Sequence, residues 1–407
     1  MKVKTAFSSL VFWICSMSFI CAATQSPSVD SPIPLWSTPD FGMGSPNSST
    51  LTQLKGRYQA LLDTNRAGIA FLDDKHVIVH EVEVDPTQLS SRRSPDISSP
   101  FRLHTILLDA SSGKLLLSKE WGTRVHESSV YVTNGGALLK TGNMLRLLRS
   151  ADLEEYQKMA LPEPPCIYIV SVSASQKTVM LNCIDQRANV SHFDVLDGST
   201  TKARYSWSES PPLYHYSSIS DTAIAAVDST KHEIIVSKFG SRRWNSIEEG
   251  NGTVPSPPVF PNLPLLVSDE LLFVERSNKF LLISVDGRLL MTSQPPTIDF
   301  CLLMTSQPPS KDKISPEVRK IVVAQGGGFV AVASQNIDVR THLFTEASIS
   351  LLSVDVAVYD LTLKQCVLNV EIAPLPTNDY DLALSPDGSM LAILDDRRIS
   401  VYATRQR

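Results

Sequence analysis

The eight histidines of this chain are dispersed, and only His76 and His80 stand close enough to raise the question of a shared metal ion. They bracket an apolar run, HVIVH, that reads as a strand. Positions i and i+4 of a strand share a face but lie about 13 Å apart, too far for one ion, so both read as isolated, partly exposed histidines. The continuation, HEVEVD, puts Glu81 and Glu83 on the face opposite His80, with Asp85 beyond. They could hold a cation weakly; a solvated strand face accounts for them without one. Asp73-Asp74 and Asp395-Asp396 fall at expected strand-to-strand turns, where carboxylates cap backbone N–H groups. Arg92-Arg93 and Arg242-Arg243 are basic pairs in expected loops, available to an acidic partner but explained as surface residues. GxSxG, HExxH, GxGxxG, a phosphate loop and zinc-spaced Cys/His pairs are all missing. No catalytic, cofactor-binding or metal residue is assigned, and no cofactor is expected.

The N-terminus bears on compartment. Lys2 and Lys4 precede an apolar stretch from Ala6 to Ile20, and Cys21-Ala22-Ala23 offers small residues for cleavage after Ala23. Residues 1–23 are therefore expected to be a signal peptide, and the protein to be secreted, periplasmic or attached to the cell envelope. The stretch is short for a span of about 20 residues, and no later segment approaches one. Cys166, Cys183, Cys301 and Cys366 then remain, in a compartment that allows disulfides. A turn centred on Ser175 would set Cys166 and Cys183 opposite each other in a hairpin, either bonded or as two buried thiols. Asn47-Ser48-Ser49, Asn189-Val190-Ser191 and Asn251-Gly252-Thr253 match the N-glycosylation pattern, which a bacterial host would leave unmodified. The formal net charge is -5 and no Lys/Arg run exceeds a dipeptide, which excludes a nucleic-acid footprint.

The elements that would position any site are strands. Residues 24–52 are Ser/Pro-rich and read as a flexible leader. From 53 to 407, short β-branched runs such as GIAFLDD, TILLDA, CIYIVSV and EIIVSKF alternate with Asp, Gly, Ser, Asn and Pro, the pattern of one all-β domain. ADLEEYQKMAL is the best helix candidate, but it sits where a turn and strand are due. LDASSGK (108–114) matches LDGSTTK (196–202), 88 residues apart, and comparable strand ends fall near Asp109, Arg149, Asp197, Ser237, Val285, Asp360 and Ala403. Most spacings are roughly 40 to 48 residues, the period of a four-stranded propeller blade. Pro164-Pro165, Pro211-Pro212 and Pro257-Pro258 mark the same boundaries, because proline suits strand exits. The spacing from Val285 to Asp360 is anomalous; its excess reads as loop, including residues 337–347. A second insertion, 85–100, interrupts the first blade.

Several stretches resemble the secreted YVTN/WD40-like seven-bladed β-propeller families, and the chain is most similar to uncharacterised exported bacterial members. YVTN stands at Tyr131–Asn134, LALSPDGSMLAILDDRRISVY (382–402) looks like a WD-type blade, and GGGFVAVAS (326–334) like half of one. The Gly-His and Trp-Asp dipeptides of standard WD40 blades are absent, so their tetrad is not carried over. The resemblance implies seven blades closed by an N-terminal strand, and residues 53–63 (QLKGRYQALLD) are expected to supply it.

The function expected is a non-enzymatic binding module that meets a protein or glycan partner through loops on one face. The alternative is a propeller enzyme, a lactonase or a quinone-dependent dehydrogenase, whose site would gather carboxylates or histidines around the channel. A last feature is LLMTSQPP, present at 289–296 and again at 302–309. Thirteen residues are too few for a blade. The first copy is expected to be a blade's exit strand and the second to bulge as loop.

Overall fold

The structure, a computed structural model, describes residues 32–38, 67–84, 101–123, 128–161, 166–185, 187–210, 217–228, 233–241, 243–247, 265–276, 279–285, 289–293, 314–340, 348–372, 380–395 and 398–405. They form 28 strands and no helix. Strand β1 (Trp36–Ser37) comes first. Blade 1 is β2 (Ala67–Phe71), β3 (His76–Val84), β4 (Phe101–Asp109) and β5 (Leu115–Thr123). Blade 2 is β6 (Ser128–Thr133), β7 (Gly136–Thr141), β8 (Met144–Leu148) and β9 (Glu155–Ala160). Blade 3 is β10 (Cys166–Val172), β11 (Thr178–Asp185), β12 (Val190–Asp197) and β13 (Ala203–Glu209). Blade 4 is β14 (Ser217–Ile219), β15 (Ala223–Asp228), β16 (Glu233–Lys238) and β17 (Asn245–Ser246). Blade 5 is β18 (Leu265–Leu266), β19 (Leu271–Arg276), β20 (Lys279–Ser284) and β21 (Leu289–Ser293). Blade 6 is β22 (Ile314–Val323), β23 (Phe329–Arg340), β24 (Ser348–Asp360) and β25 (Gln365–Ile372). Blade 7 is β26 (Tyr380–Leu384), β27 (Met390–Asp395) and β28 (Arg398–Ala403). Every pairing is antiparallel, and β1 completes blade 7 as its fourth strand. The chain is a seven-bladed β-propeller.

The period-2 alternation of each strand builds the core. Val77 and Val79 of β3 face blade 7, while Ile78 and Val82 face blade 2. The same alternation recurs, so the buried apolar side chains of the described residues gather into seven clusters, each between two neighbouring blades. A blade has two apolar faces and is stable only between neighbours.

The seven periodic anchors fall at or next to the end of each blade's third strand. Four of the turns that follow share one geometry. The fifth residue, counting the anchor as first, is left-handed: Gly113 (φ 70°), Leu153 (φ 53°), Thr201 (φ 49°) and Lys364 (φ 56°). Asp109 Oδ1 accepts from the N–H and hydroxyl of both Ser111 and Ser112. Asp197 does the same with Ser199 and Thr200, and Asp360 accepts from the N–H groups of Thr362 and Leu363. The 88-residue sequence match is this capped turn.

Three expectations change. The closing strand is N-terminal, but it is β1 and not 53–63, which lies outside the described residues. β1 falls within the stretch read as leader and wins because Trp36 gives it an anchor: its indole Nε1 donates to Ala110 O (2.8 Å) and its ring lies over Gly113, where a Cβ would stand 2.5 Å from Cε3. Residues 337–340 are not loop: β23 runs on to Arg340 and pairs with a β24 that begins at Ser348, past a bulge at Asn336/Ile337. ADLEEYQKMAL is a turn followed by β9, as its place in the period required. Cys166 does not face Cys183; it pairs with Asp185, and Cys183 with Tyr168, because the turn centres between Ser175 and Gln176. Cys183 is buried and disulfide-bonded. The first LLMTSQPP copy is β21, the exit strand of blade 5, as expected; the second lies outside the described residues.

Two outcomes follow. Trp36→Ala removes the anchor of the closing strand and lowers unfolding stability by about 3 kcal/mol, read from urea denaturation. The hydroxyls and N–H groups of Ser111 and Ser112 lower the Asp109 pKa to about 2. A depressed carboxylate stabilises the fold above about pH 4, and that contribution is lost as pH falls toward 2. Asp109→Asn should therefore flatten the dependence of the urea midpoint on pH in that window.

Candidate functional site

Because strands alternate in direction, the connections of each blade sort onto two faces. Those joining first to second and third to fourth strands lie on one face, here the turn face. Those joining second to third strands, and one blade to the next, lie on the other, here the insertion face. The strand ends flanking 39–66, 85–100, 248–264, 294–313 and 341–347 all belong to the insertion face.

The turn face is tied together. Asp221 of blade 4 accepts from the hydroxyls of Ser173, Ser175 and Thr178 of blade 3 (2.9, 2.6 and 3.0 Å). Asp269 of blade 5 accepts from Thr222 N–H (3.1 Å), and the N–H groups and hydroxyls around it hold its carboxyl below the usual range despite burial. Asn134 N–H donates to Gln176 O (2.8 Å), and Gly326 N–H to Pro386 O (3.3 Å). Gln325 of blade 6 reaches across the ring and donates from Nε2 to Ser175 O of blade 3 (3.2 Å). Around it lies a polar depression of about 280 Å³, whose lining includes Asp73, Asp74, Asn134 and Gln176.

Nearer the insertion face, the inner strands of blades 6, 7 and 1 converge on a second polar cluster. Asp381 Oδ2 accepts from Ile69 N–H (3.0 Å), and its Oδ1 accepts from Leu382 N–H (2.7 Å) and pairs with the Lys320 ammonium. Gly68 lies opposite His80 in the β2–β3 ladder. The His80 ring rests on it: a Cβ at Gly68 would stand 2.3 Å from His80 Cε1 and 3.1 Å from Asp381 Oδ2. His80 Nδ1 is sealed from solvent without a hydrogen-bond partner. Burial lowers the His80 pKa to about 4, with Asp381 opposing the shift and Lys320 adding to it, so the ring is neutral at pH 7. The arrangement offers a neutral imidazole beside a compensated ion pair.

The expected site residues scatter. His76 Nδ1 lies 2.9 Å from both Asp73 oxygens at the turn face, a local turn contact. His80 is not isolated, because Gly68, Asp381 and Lys320 surround it, a correction that only strand register could supply. Asp73 also caps Lys75 N–H (2.7 Å), Asp74 lines the depression, and Asp395 pairs with Arg398 (2.9 Å). Glu81 is half-buried on β3. The side chain of Glu83, and Asp85, Arg92, Arg93, Arg242 and Asp396, lie outside the described residues, as do the sequons at Asn47 and Asn251. Asn189, with φ 55°, sits in the turn before β12. Among the described residues, no three of His, Cys, Asp and Glu are grouped so as to hold a metal ion, and no helix is long and apolar enough to cross a membrane.

The His80 environment has a measurable consequence. A histidine held at about 4 in the fold and near 6.5 when unfolded stabilises the native state fully above pH 6.5 and loses that contribution as pH falls toward 4. The His80 ring proton should titrate near pH 4 by NMR, and His80→Gln should remove the corresponding part of the stability loss between pH 6.5 and 4.

No family model matches the chain, and no curated protein matches it. Among solved structures it is similar to a chain of a mitotic checkpoint complex (9% identity, TM-score 0.48, covering 99% of this chain and 100% of that one). It is similar to BamB from Moraxella catarrhalis (10%, 0.36, 83% and 82%). It is also similar to the uncharacterized protein lmo1340 from Listeria monocytogenes EGD-e (11%, 0.45, 82% and 92%). The propeller fold itself rests on the strand pairing of this chain.

Proposed function

We propose that the protein is an exported, non-enzymatic binding module of the secreted YVTN/WD40-like kind, and that it takes a protein partner on its insertion face. The observation that carries this reading is the asymmetry of the two faces. The turn face is built from short, mutually hydrogen-bonded turns and is bridged by Gln325. The insertion face collects the long connections of blades 1, 5 and 6, and long insertions on a repeat scaffold are where recognition concentrates. The apolar N-terminal stretch and the bonded Cys183 support an oxidising compartment outside the cytoplasm. A glycan partner would use the same loops. The enzyme alternative, a lactonase or a quinone-dependent dehydrogenase, would draw on the cluster of His80 and Asp381, where Lys320 is already paired with the carboxylate.

The test is capture from the native envelope fraction by cross-linking to the tagged full chain. Replacing 85–100 with a short Gly/Ser linker should reduce capture at least tenfold while leaving the melting temperature within a few degrees. Equal capture by that variant, or loss of capture only on changing turn-face residues such as Asp74 and Asn134, would remove the insertion-face reading. Binding to immobilised glycans with no protein captured would replace the partner class, and a metal or cofactor that co-purifies in stoichiometric amount would favour the enzyme.

A further inference from the structure

β2 is the first strand of blade 1 and pairs only with β3. The N–H of Ile69 on β2 is taken by Asp381 Oδ2 of blade 7 (3.0 Å). The other oxygen, Oδ1, is committed to Leu382 N–H and to the Lys320 ammonium. The carboxylate thus has one oxygen for blade 1 and one for its own blade and blade 6. His80 stands beside the first. Its Nε2 and Asp381 Oδ2 lie 2.9 and 3.1 Å from the same point, the place a Cβ would take on Gly68. The ring edge and the oxygen that holds Ile69 therefore border one small space.

A neutral ring rests in that position without demand; a protonated one does not. An imidazolium carries an N–H on both nitrogens. Nδ1 is sealed from solvent with no hydrogen-bond partner, so its proton would be buried unpaired. The elements packed around the ring offer little to it. Opposite on β4 stands Thr105, whose hydroxyl already donates to Lys119 O and accepts from Trp121 Nε1 (3.2 and 3.1 Å). On β2 lies Gly68, and blade 2 turns Val130 and Val132 toward blade 1. The charged groups that face the ring are Asp381 from β26 and Lys320 from β22. The first attracts an imidazolium and the second repels it. A proton taken from solvent therefore draws Asp381 Oδ2 from Ile69 N–H toward Nε2, and leaves Nδ1–H in need of water that the closed junction excludes.

We propose that the junction of blades 7 and 1 is a proton-operated latch, in which protonation of His80 takes Asp381 away from Ile69 and admits water between the inner strands β2 and β26. Burial alone would make His80 weaken the whole fold in acid. The placement of Asp381 makes the weakening local, because the group that answers the new charge is the one that fastens blade 1 to blade 7. Trp36 fastens the outer side of the same junction through an indole, which does not titrate. The ring is held at about 4 in the closed junction, against 6.5 in solvent. The latch is therefore fully closed above pH 6.5 and weakens as pH falls toward 4, with opening growing roughly twentyfold between pH 7 and pH 5. It does not depend on which partner the insertion face takes.

Residue-resolved amide hydrogen exchange on the full chain tests it, with rates corrected for the intrinsic pH dependence of exchange. Between pH 7 and pH 5 the protection of Ile69 and of 380–384 should fall roughly twentyfold, while that of 223–228 in blade 4 should hold. In His80→Gln the fall at Ile69 should disappear. The His80 ring, followed by NMR in the unmodified chain, should titrate near pH 4. The latch is overturned if Ile69 loses no more protection than blade 4, if His80→Gln keeps the loss, or if the ring titrates near pH 6.5 while Ile69 stays protected. The first and third of these outcomes are read in the unmodified chain and decide the matter even if the variant does not fold.

Discussion

A ring of blades is stable only if it closes, and closure here rests on the seating of one side chain. Trp36 donates from its indole to Ala110 O and lies flat over Gly113, so the fourth strand of blade 7 is fastened to the turn of blade 1. β1 itself contributes two paired residues, with flanking bonds from Leu35 N–H to Val401 O and from Thr38 N–H to Ile399 O. The ladder alone is too short to hold an edge; the indole makes it sufficient. The same contact, outer strand against the next blade's turn, recurs around the ring with different chemistry. Lys119 of blade 1 reaches Leu153 O and Glu154, Tyr156 and Gln157 of blade 2 reach 199–201, and Tyr205 of blade 3 packs on Phe239. Lys364 joins blade 6 back to Leu290 of blade 5. A glycine at 113 is required because the ring of Trp36 occupies the space of its Cβ, whereas Leu153, Thr201 and Lys364 take the same positive φ in the other turns.

The inner ring has its own hub. Asp381 ties three blades through one carboxylate: Lys320 of blade 6, Leu382 N–H of its own blade and Ile69 N–H of blade 1. A carboxylate this enclosed is tolerable only because it is both paired and hydrogen-bonded. It lies at the seam between blade 7, which β1 completes, and blade 1. Outer and inner rings are therefore each fastened across the same junction, by an indole outside and a carboxylate inside.

How much of this was legible in the amino-acid order depends on the range of the interaction. The capped turns at Asp109 and Asp197 are set by residues two and three places on, so they show as a repeated string and carry the blade period with them. The exit prolines are equally local. Strand β1 was missed because two residues have no periodicity and its partner is 365 positions away at Val401. The Cys166–Cys183 register moved because the turn centres one residue further along than that pairing needs, which shifts every partner by two, from Cys183 to Asp185 for Cys166. Of the site, His80 was visible, but its surroundings were not. Gly68, Lys320 and Asp381 meet it only through the packing of three separate blades, and nothing in the residue order ties Lys320 to Asp381 across 61 positions. The extension of β23 to Arg340 was hidden because the polar run Ser334-Gln335-Asn336 breaks its apolar pattern, and the extra residue of the bulge, Leu352, falls on its partner β24.

The pairing of Trp36 with Val401 also sets the order in which the protein can be made. Residue 36 is synthesised before every blade, and its partner strand β28 (398–403) only after the other six blades. Until β28 has been made, the nascent chain carries a Trp-bearing strand with nowhere to pair, and blade 1 with one apolar face uncovered. Six blades can stack as they emerge, because each needs only the one before it. The seventh is different: it is finished by material that has been waiting since the beginning. Ring closure therefore waits for β28 and carries the largest loop entropy of any strand pairing among the described residues, and a chain that stopped before Arg398 would be left without a partner for Trp36.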